Sequence, residues 1–195
     1  MRVFIVYCHP SKDSFTARVL DQFVRGLELA GHTYEISDLY KMGFETDFTE
    51  DEYERDAFYT QDGYISTDVL EEQQKIQSCD TIVFIYPVFW TEAPAKLVGW
   101  FDRVWTYGFA YGENRTMHQL EKALFLVTSG KTLEQLQKSK EAQAMETVML
   151  GDRIKDRAKE KNMIFFSGMS RWDEEIRKVK MVSYLDQAFC IGADL

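Results

Sequence analysis

Apolar residues in this chain gather into short unbroken runs, and stretches of helical period separate them. Val3 to Tyr7, Thr81 to Ile85, Ala123 to Val127 and Met163 to Phe166 are such runs. Continuous runs of branched and aromatic residues predict strands buried on both faces. Tyr34, Ile36 and Leu39 bracket Glu35, Ser37 and Asp38, which predicts a half-polar strand suited to a sheet edge. Phe15, Val19, Phe23 and Leu27 recur at helical spacing, with Ser14 placed as the cap and Gly31 as the stop. A second helix is expected from Ser66 or Thr67 to Ser78. A third holds Leu97, Phe101, Val104 and Trp105, with Pro94 in its first turn. A helical region is expected from 132 to about 160, broken near Gly151, and a last helix carries Ile176, Val179, Val182 and Phe189. Lys41 to Ile65 has weak periodicity and many acidic and aromatic residues; a segment of that length is expected to be functional or partly helical.

Strands that alternate with helices give an α/β fold, a five-stranded parallel sheet with helices on both faces. The half-polar second strand belongs at an edge, which favours the flavodoxin-like order 2-1-3-4-5. One domain is expected over residues 1–195, since no repeat, linker or low-complexity tract marks a boundary. In this order the loops Cys8–Ser14, Pro87–Pro94 and Thr128–Lys131 lie side by side at the carboxyl edge of the sheet, where ligands of open α/β sheets bind.

The middle loop, Pro87-Val88-Phe89-Trp90-Thr91-Glu92-Ala93-Pro94, is the most unusual stretch of the chain. Two prolines limit its freedom, and Trp90 offers a large flat face that suits a flat heteroaromatic ligand. Aromatic residues are also packing residues, and Phe89 and Trp90 plugging the core is the competing reading.

Composition narrows the guest. Aromatics make up 14% of the 195 residues and the net charge is −9. An acidic chain is a poor partner for nucleic acid or anionic membranes, yet a small anion held by backbone dipoles remains open to it. Cys8, Cys79 and Cys190 form no disulfide framework, and His9, His32 and His118 form no metal-binding pattern, so no metal is expected. The start is too short and too strand-like for a signal peptide, and no apolar run approaches a membrane span, so a cytoplasmic, reduced protein with no membrane insertion is expected.

The first loop, His9-Pro10-Ser11-Lys12-Asp13-Ser14-Phe15-Thr16, joins a central strand to a helix start. Free N–H groups and the helix dipole there attract phosphate, and Ser11, Ser14, Thr16 and His9 add donors. The loop lacks the G-x-G-x-x-G of dinucleotide domains. Ser129-Gly130-Lys131-Thr132 ends like a P-loop, but Phe125 stands where the leading glycine belongs. Gly130 lets backbone approach a flat ligand, or simply turns strand into helix. Cys8 and His9 are adjacent at a strand end and so point to opposite faces, which argues against a nucleophile–base pair.

These residues resemble the NAD(P)H:quinone oxidoreductase family with a flavodoxin-like fold, which includes the eukaryotic quinone reductases and bacterial relatives. The matches are His9 with Ser14-Phe15, then Ser37-Asp38-Leu39-Tyr40, and above all Pro87-x-x-Trp90-x-x-x-Pro94-Ala95-x-Leu97-x-Gly99-Trp100-Phe101-Asp102-Arg103-Val104 with Phe109-Ala110-Tyr111 beyond it. They cover roughly residues 1 to 130. The resemblance implies a flavin, FAD with FMN as the alternative. Its phosphates would lie against His9, Ser14, Phe15 and Thr16. Its ring would lie against Pro87, Val88, Phe89 and Trp90 with Thr128, Ser129 and Gly130. NAD(P)H would be the co-substrate and a quinone-like small molecule the acceptor, with Trp90 and Tyr111 as the catalytic candidates.

Relatives carry Thr-x-Gly-Gly after the fourth strand where this chain has Thr128-Ser129-Gly130-Lys131, and residues 133–146 hold neither the tyrosine nor the histidine of the eukaryotic enzymes. The resemblance also implies a homodimer in which Tyr111 lines the partner's pocket. One helix face can bury only part of the set Trp100, Phe101, Trp105, Tyr107, Phe109 and Tyr111, and the remainder is expected to leave an exposed apolar patch for that contact, on a loop expected at the same sheet edge as the flavin loops. Two other functions fit the same residues: a flavin-bearing accessory subunit that regulates a membrane transporter, and a one-electron carrier, whose Thr/Gly-rich phosphate loop this chain lacks.

Overall fold

The computed structural model describes residues 1–172 and 174–195, and the side chain of Ile176, expected on the last helix, lies outside what it describes. Five strands pair in parallel: β1 (Arg2–Tyr7), β2 (Thr33–Asp38), β3 (Thr81–Pro87), β4 (Leu120–Thr128) and β5 (Ala158–Phe166). Their order is β2-β1-β3-β4-β5, the flavodoxin-like order expected. β3 is buried along its whole length, as its continuous apolar run requires.

One face of the sheet is covered by α1 (Phe15–Leu29) and α7 (Glu174–Ala193), the other by α3 (Thr67–Gln77) and α4 (Ala95–Val104). α1 ends in a Schellman turn: the Gly31 and His32 N–H groups donate to the Glu28 and Leu27 carbonyls, with Gly31 at φ 73°. α7 docks on α1 through small residues. A Cβ on Gly26 would collide with the Phe189 carbonyl, and one on Gly192 with that of Phe23. Val179 and Val182, by contrast, are exposed, because the docking face runs through Ala188 and Gly192 instead.

The long segment 41–65 does contain a helix, α2 (Glu50–Ala57), opened by a capping box between Thr49 and Glu52. Arg103 of α4 fastens this segment. Its guanidinium, buried with Glu52, donates to Glu52 Oε1 (2.7 Å), Asp68 Oδ2 (2.6 Å), Ser66 Oγ (2.7 Å) and the Glu45 carbonyl (2.8 Å).

Several boundaries differ from expectation. The helical region after residue 132 comprises α5 (Leu133–Lys138), α6 (Glu141–Glu146) and a π-helical segment, Thr147–Ile154. The break falls at Lys140, left-handed at φ 62°, whereas Gly151 lies within the π-helical turns. β5 starts at Ala158, since its first half is the exposed polar run Lys159–Asn162 of an edge strand and carries no apolar signal. On β2 the expected faces are exchanged. Tyr34 and Ile36 are partly exposed while Ser37 is buried, because Ser37 donates to Glu72, which also accepts from Trp100 Nε1 (2.7 Å).

The expected aromatic patch is absent. Trp100, Phe101, Trp105 and Phe109 are all buried within the chain. The π-helical segment covers them from outside: the Arg153 guanidinium lies over Phe101 at 5.4 Å, and Trp105 Nε1 donates to the Arg153 carbonyl at 2.6 Å. The loop 105–119 also leaves the opposite sheet edge from the one expected. It feeds the amino end of β4, where His118 meets the Cys79 carbonyl just before β3.

Candidate functional site

Three loops meet at the carboxyl edge of the sheet, after β1, β3 and β4. They enclose a cavity of about 280 Å³. It is lined by His9, Ser14, Phe15, Thr16, Pro87, Val88, Phe89, Thr128, Ser129 and Gly130, which is every expected cofactor residue except Trp90.

The phosphate end is built by α1. Ser14 Oγ accepts from the Ala17 N–H at 3.0 Å, which caps the helix but leaves the Phe15 and Thr16 N–H groups without an acceptor among the described residues. His9 Nδ1 accepts the Ser11 N–H at 2.9 Å, so the neutral ring carries its proton on Nε2 as a donor. Burial, which disfavours the imidazolium, holds the His9 pKa below its ordinary value, and the ring is therefore neutral at neutral pH. The Thr16 and Thr128 hydroxyls share a buried hydrogen bond of 2.7 Å that ties α1 to the end of β4 under the cavity floor.

The far end is built by the aromatic loop. The Val88 N–H donates to the Thr128 carbonyl at 2.8 Å and joins the two loops. Phe89 and Glu92 exchange backbone hydrogen bonds at 2.9 and 3.1 Å across a two-residue turn. Its central residues, Trp90 and Thr91, both have positive φ, 59° and 74°. Asparagine and glycine normally fill such a turn, and a β-branched residue there is strained. The strain holds Trp90 clear of the protein, 97% exposed, with Phe89 at 45%. Neither plugs the core.

Gly130 has no protein reason to be glycine. Its φ is ordinary, and a Cβ there would meet nothing nearer than Ser170 at 3.8 Å. Its Cα borders the cavity instead.

Trp90 lines a second cavity of about 270 Å³ with Thr91, Lys131, Leu136 and Glu141. The two cavities share Val88, Ser129 and Gly130, so they lie side by side. A third cavity, about 560 Å³, adjoins the first through His9, Ser11 and Asp13 and extends over Tyr7, Lys12, Asp38, Tyr40 and Lys41. The buried Tyr7 hydroxyl there has no partner in hydrogen-bonding geometry among the described residues.

The sequence reading missed Met169, Arg171 and Arg177, which wall the first cavity from the far side of β5. Met169 and Arg171 lie on the loop after β5, at the same carboxyl edge, with the Met169 N–H donating to the Ser129 carbonyl, and α7 brings Arg177 there. Tyr111 lies outside the site, at the amino edge, its ring 5.7 Å from Tyr107. Cys8 is fully buried and its thiol is pushed up to about 12, chiefly by desolvation, which excludes the thiolate a nucleophile needs. Among the described residues no cluster of His, Cys, Asp and Glu could hold a metal, and no helix is long and apolar enough to cross a membrane.

A protein family described by its flavodoxin-like fold matches residues 1–153. The ribosyldihydronicotinamide dehydrogenase (quinone) of Pongo abelii is 33% identical over 155 residues, 71% of this chain and 67% of that protein. Other curated relatives are matched over 46% to 67% of their length, so this chain spans about half to two thirds of the curated relatives it matches. The solved NAD(P)H:quinone oxidoreductase of Methanothermobacter marburgensis is 39% identical and superimposes with a TM-score of 0.90, over 98% of this chain and 96% of that one. An FMN-dependent NADH-azoreductase of Bacillus anthracis, solved with FMN, shares the fold at a TM-score of 0.62 and 16% identity, over 98% of this chain and 100% of that one. On its sheet order, its three convergent loops and these likenesses, the chain belongs to the NAD(P)H:quinone oxidoreductase family with the flavodoxin-like fold.

Proposed function

We propose that the chain is a flavin-dependent NAD(P)H oxidoreductase whose acceptor is a quinone or a related small molecule. The observation that carries this reading is the single cavity gathering ten residues from three loops, with a phosphate cradle at one end and an aromatic loop at the other. A flavin bound there supplies the relay of a hydride from NAD(P)H to the acceptor. The chain's own residues bind and orient it. The Phe15 and Thr16 N–H groups and His9 Nε2 receive its phosphate. Val88, Phe89 and Gly130 border its ring, and Gly130 gives it room. Trp90 faces the adjoining second cavity, which suits the nicotinamide and the acceptor in turn.

The third cavity supports FAD over FMN. An adenosine diphosphate moiety needs space next to the first phosphate, a cation and an aromatic face. Lys12, Lys41 and Tyr40 supply the last two.

The test is the purified protein itself. It should absorb at about 450 nm through its cofactor, release FAD by mass, and oxidise NAD(P)H with menadione as acceptor. A colourless protein that takes up neither FAD nor FMN would sink the reading. A flavin-loaded protein with negligible quinone turnover would favour an accessory role instead.

We further infer a homodimer with shared sites. With the expected patch gone, a different aromatic surface supports it: Tyr53, Phe58, Tyr59 and Tyr64 are exposed on the 41–65 segment, and Tyr59 packs on Tyr107 beside Tyr111. In a two-fold pair with antiparallel sheets, the amino edge of one protomer lies beside the carboxyl edge of the other. Tyr111 at the opposite edge from its own site is then placed to reach its partner's.

A further inference from the structure

The second cavity carries one ion pair. Lys131 Nζ donates to both oxygens of Glu141, at 2.6 and 2.8 Å, on a wall otherwise made of Val88, Trp90, Thr91, Ser129, Gly130 and Leu136. The pair is ten residues apart in sequence, and the backbone is shaped to bring it together. The Thr132 capping box starts α5 directly after Lys131, and the left-handed Lys140 turns α6 back so that Glu141 opens it facing Lys131. The Lys131 carbonyl is fixed as well, accepting from the Gly168 N–H at 2.7 Å and Ser129 Oγ at 2.9 Å. Such a pair could be a mere surface staple, and exposed ion pairs contribute little to stability. The Lys131 side chain is 56% exposed and that of Glu141 22%, so the lysine is open to a ligand where it lines the second cavity, beside the cofactor cavity.

We propose that Lys131 is a catalytic residue that holds the acceptor's carbonyl oxygen, and that Glu141 positions it. The assignment rests on the flavin-dependent reading above. Reduction of a quinone by a hydride brings both electrons and one hydrogen; both carbonyl π bonds are lost as the ring becomes aromatic, one oxygen becoming a hydroxyl and the second a phenolate. That anion pairs with the Lys131 ammonium and takes its proton from water, giving the hydroquinone. A fixed cation at the oxygen where charge develops favours the transition state over the neutral ground state. Trp90 serves as the stacking face, held out by its strained turn. The acceptor this wall recognises is a flat aromatic compound with a carbonyl at its edge.

Binding to the oxidised holoenzyme without NAD(P)H reads the assignment apart from turnover. The probes are menadione, a neutral quinone, and lawsone, whose ionised enol stands in for the phenolate. By isothermal calorimetry, Lys131→Met should weaken lawsone by about 10–100-fold, the worth of a charge-assisted hydrogen bond, and menadione much less. Lys131→Arg should restore most of it. Glu141→Gln, which keeps an acceptor for the ammonium but removes the competing charge, should bind lawsone more tightly than the parent. Turnover of menadione should fall by roughly 100-fold in Lys131→Met with flavin content unchanged. A staple would act differently: Lys131→Met and Glu141→Gln would lose the same thermal stability and leave both affinities alone, and that result would overturn the proposal. A parent protein that holds no flavin would instead overturn the reading beneath it.

Discussion

At the scale of single residues, the tip of the aromatic loop concentrates cost and exposure in two neighbours. Thr91 is a β-branched residue at φ 74° and Trp90 is 97% exposed, a pairing that nothing in the fold's own packing rewards. Strain of this kind is worth about 1–3 kcal/mol per residue. Thr91→Gly should therefore raise the unfolding free energy of the apo protein by about 1 kcal/mol, after the extra chain entropy of glycine is deducted. Trp90→Ala should leave that stability unchanged while weakening a stacked aromatic ligand by about 1–3 kcal/mol. Urea unfolding measures the first pair of values. A less stable Thr91→Gly variant would show that the turn is held by contacts rather than strained. The sequence made Trp90 visible as a ligand face, through the two prolines and its place after a buried strand. It could not separate Trp90 from its loop neighbours, because the left-handed turn that holds it out beside the second cavity is written in no glycine or asparagine.

At the scale of elements, the 41–65 segment shows how a buried ion cluster can anchor a weakly apolar stretch. Burial alone would raise the Glu52 carboxyl, but the bonds from Arg103, Ser66 and the Thr49 N–H overcome it and hold it at about 2 against an ordinary 4.5. Its contribution to stability is complete above about pH 4.5 and is lost as pH falls toward about 2. Asp68, on the same guanidinium, is also held below its ordinary value against the pull of burial. Hydrogen exchange should thus show residues 44–68 opening on acidification through that window before β1 and β3 lose protection. Uniform opening of both regions would show that the cluster is not their local fastening. Arg103→Met, which strands a buried carboxylate, should cost about 3–5 kcal/mol at neutral pH. The capping box Thr49-x-x-Glu52 that starts α2 was present in the sequence as a helix signal. The central strands were equally legible, since a strand buried on both faces has no polar residues to disguise it. β5 and β2 were less so. Their outer positions belong to an edge and to a polar network, and there hydrogen bonding sets the pattern in place of burial.

At the scale of the whole molecule, three loops after β1, β3 and β4 were predictable as neighbours because parallel strand order alone places them. The aromatic cluster 100–111 was misjudged. A helix read alone has one face for the sheet, whereas here the π-helical segment supplies a second covering layer over Phe101 and Trp105. The proposed dimer would bury Tyr53, Phe58, Tyr59 and Tyr64, which are exposed in the single chain. Light scattering should show a dimer, and Tyr111→Ala should raise the KM for the acceptor while flavin content and the dimer are kept. A fully active monomer at assay concentration would refute the shared site. The cavity wall itself has a temporal meaning. Its first residue in the chain is His9 and its last is Arg177, beyond the final strand. During synthesis, at about 5–20 residues per second, the sheet's centre can assemble long before that wall exists. Loading of the proposed cofactor therefore follows synthesis of α7, and a nascent chain that has not reached it must hold its shape without the ligand.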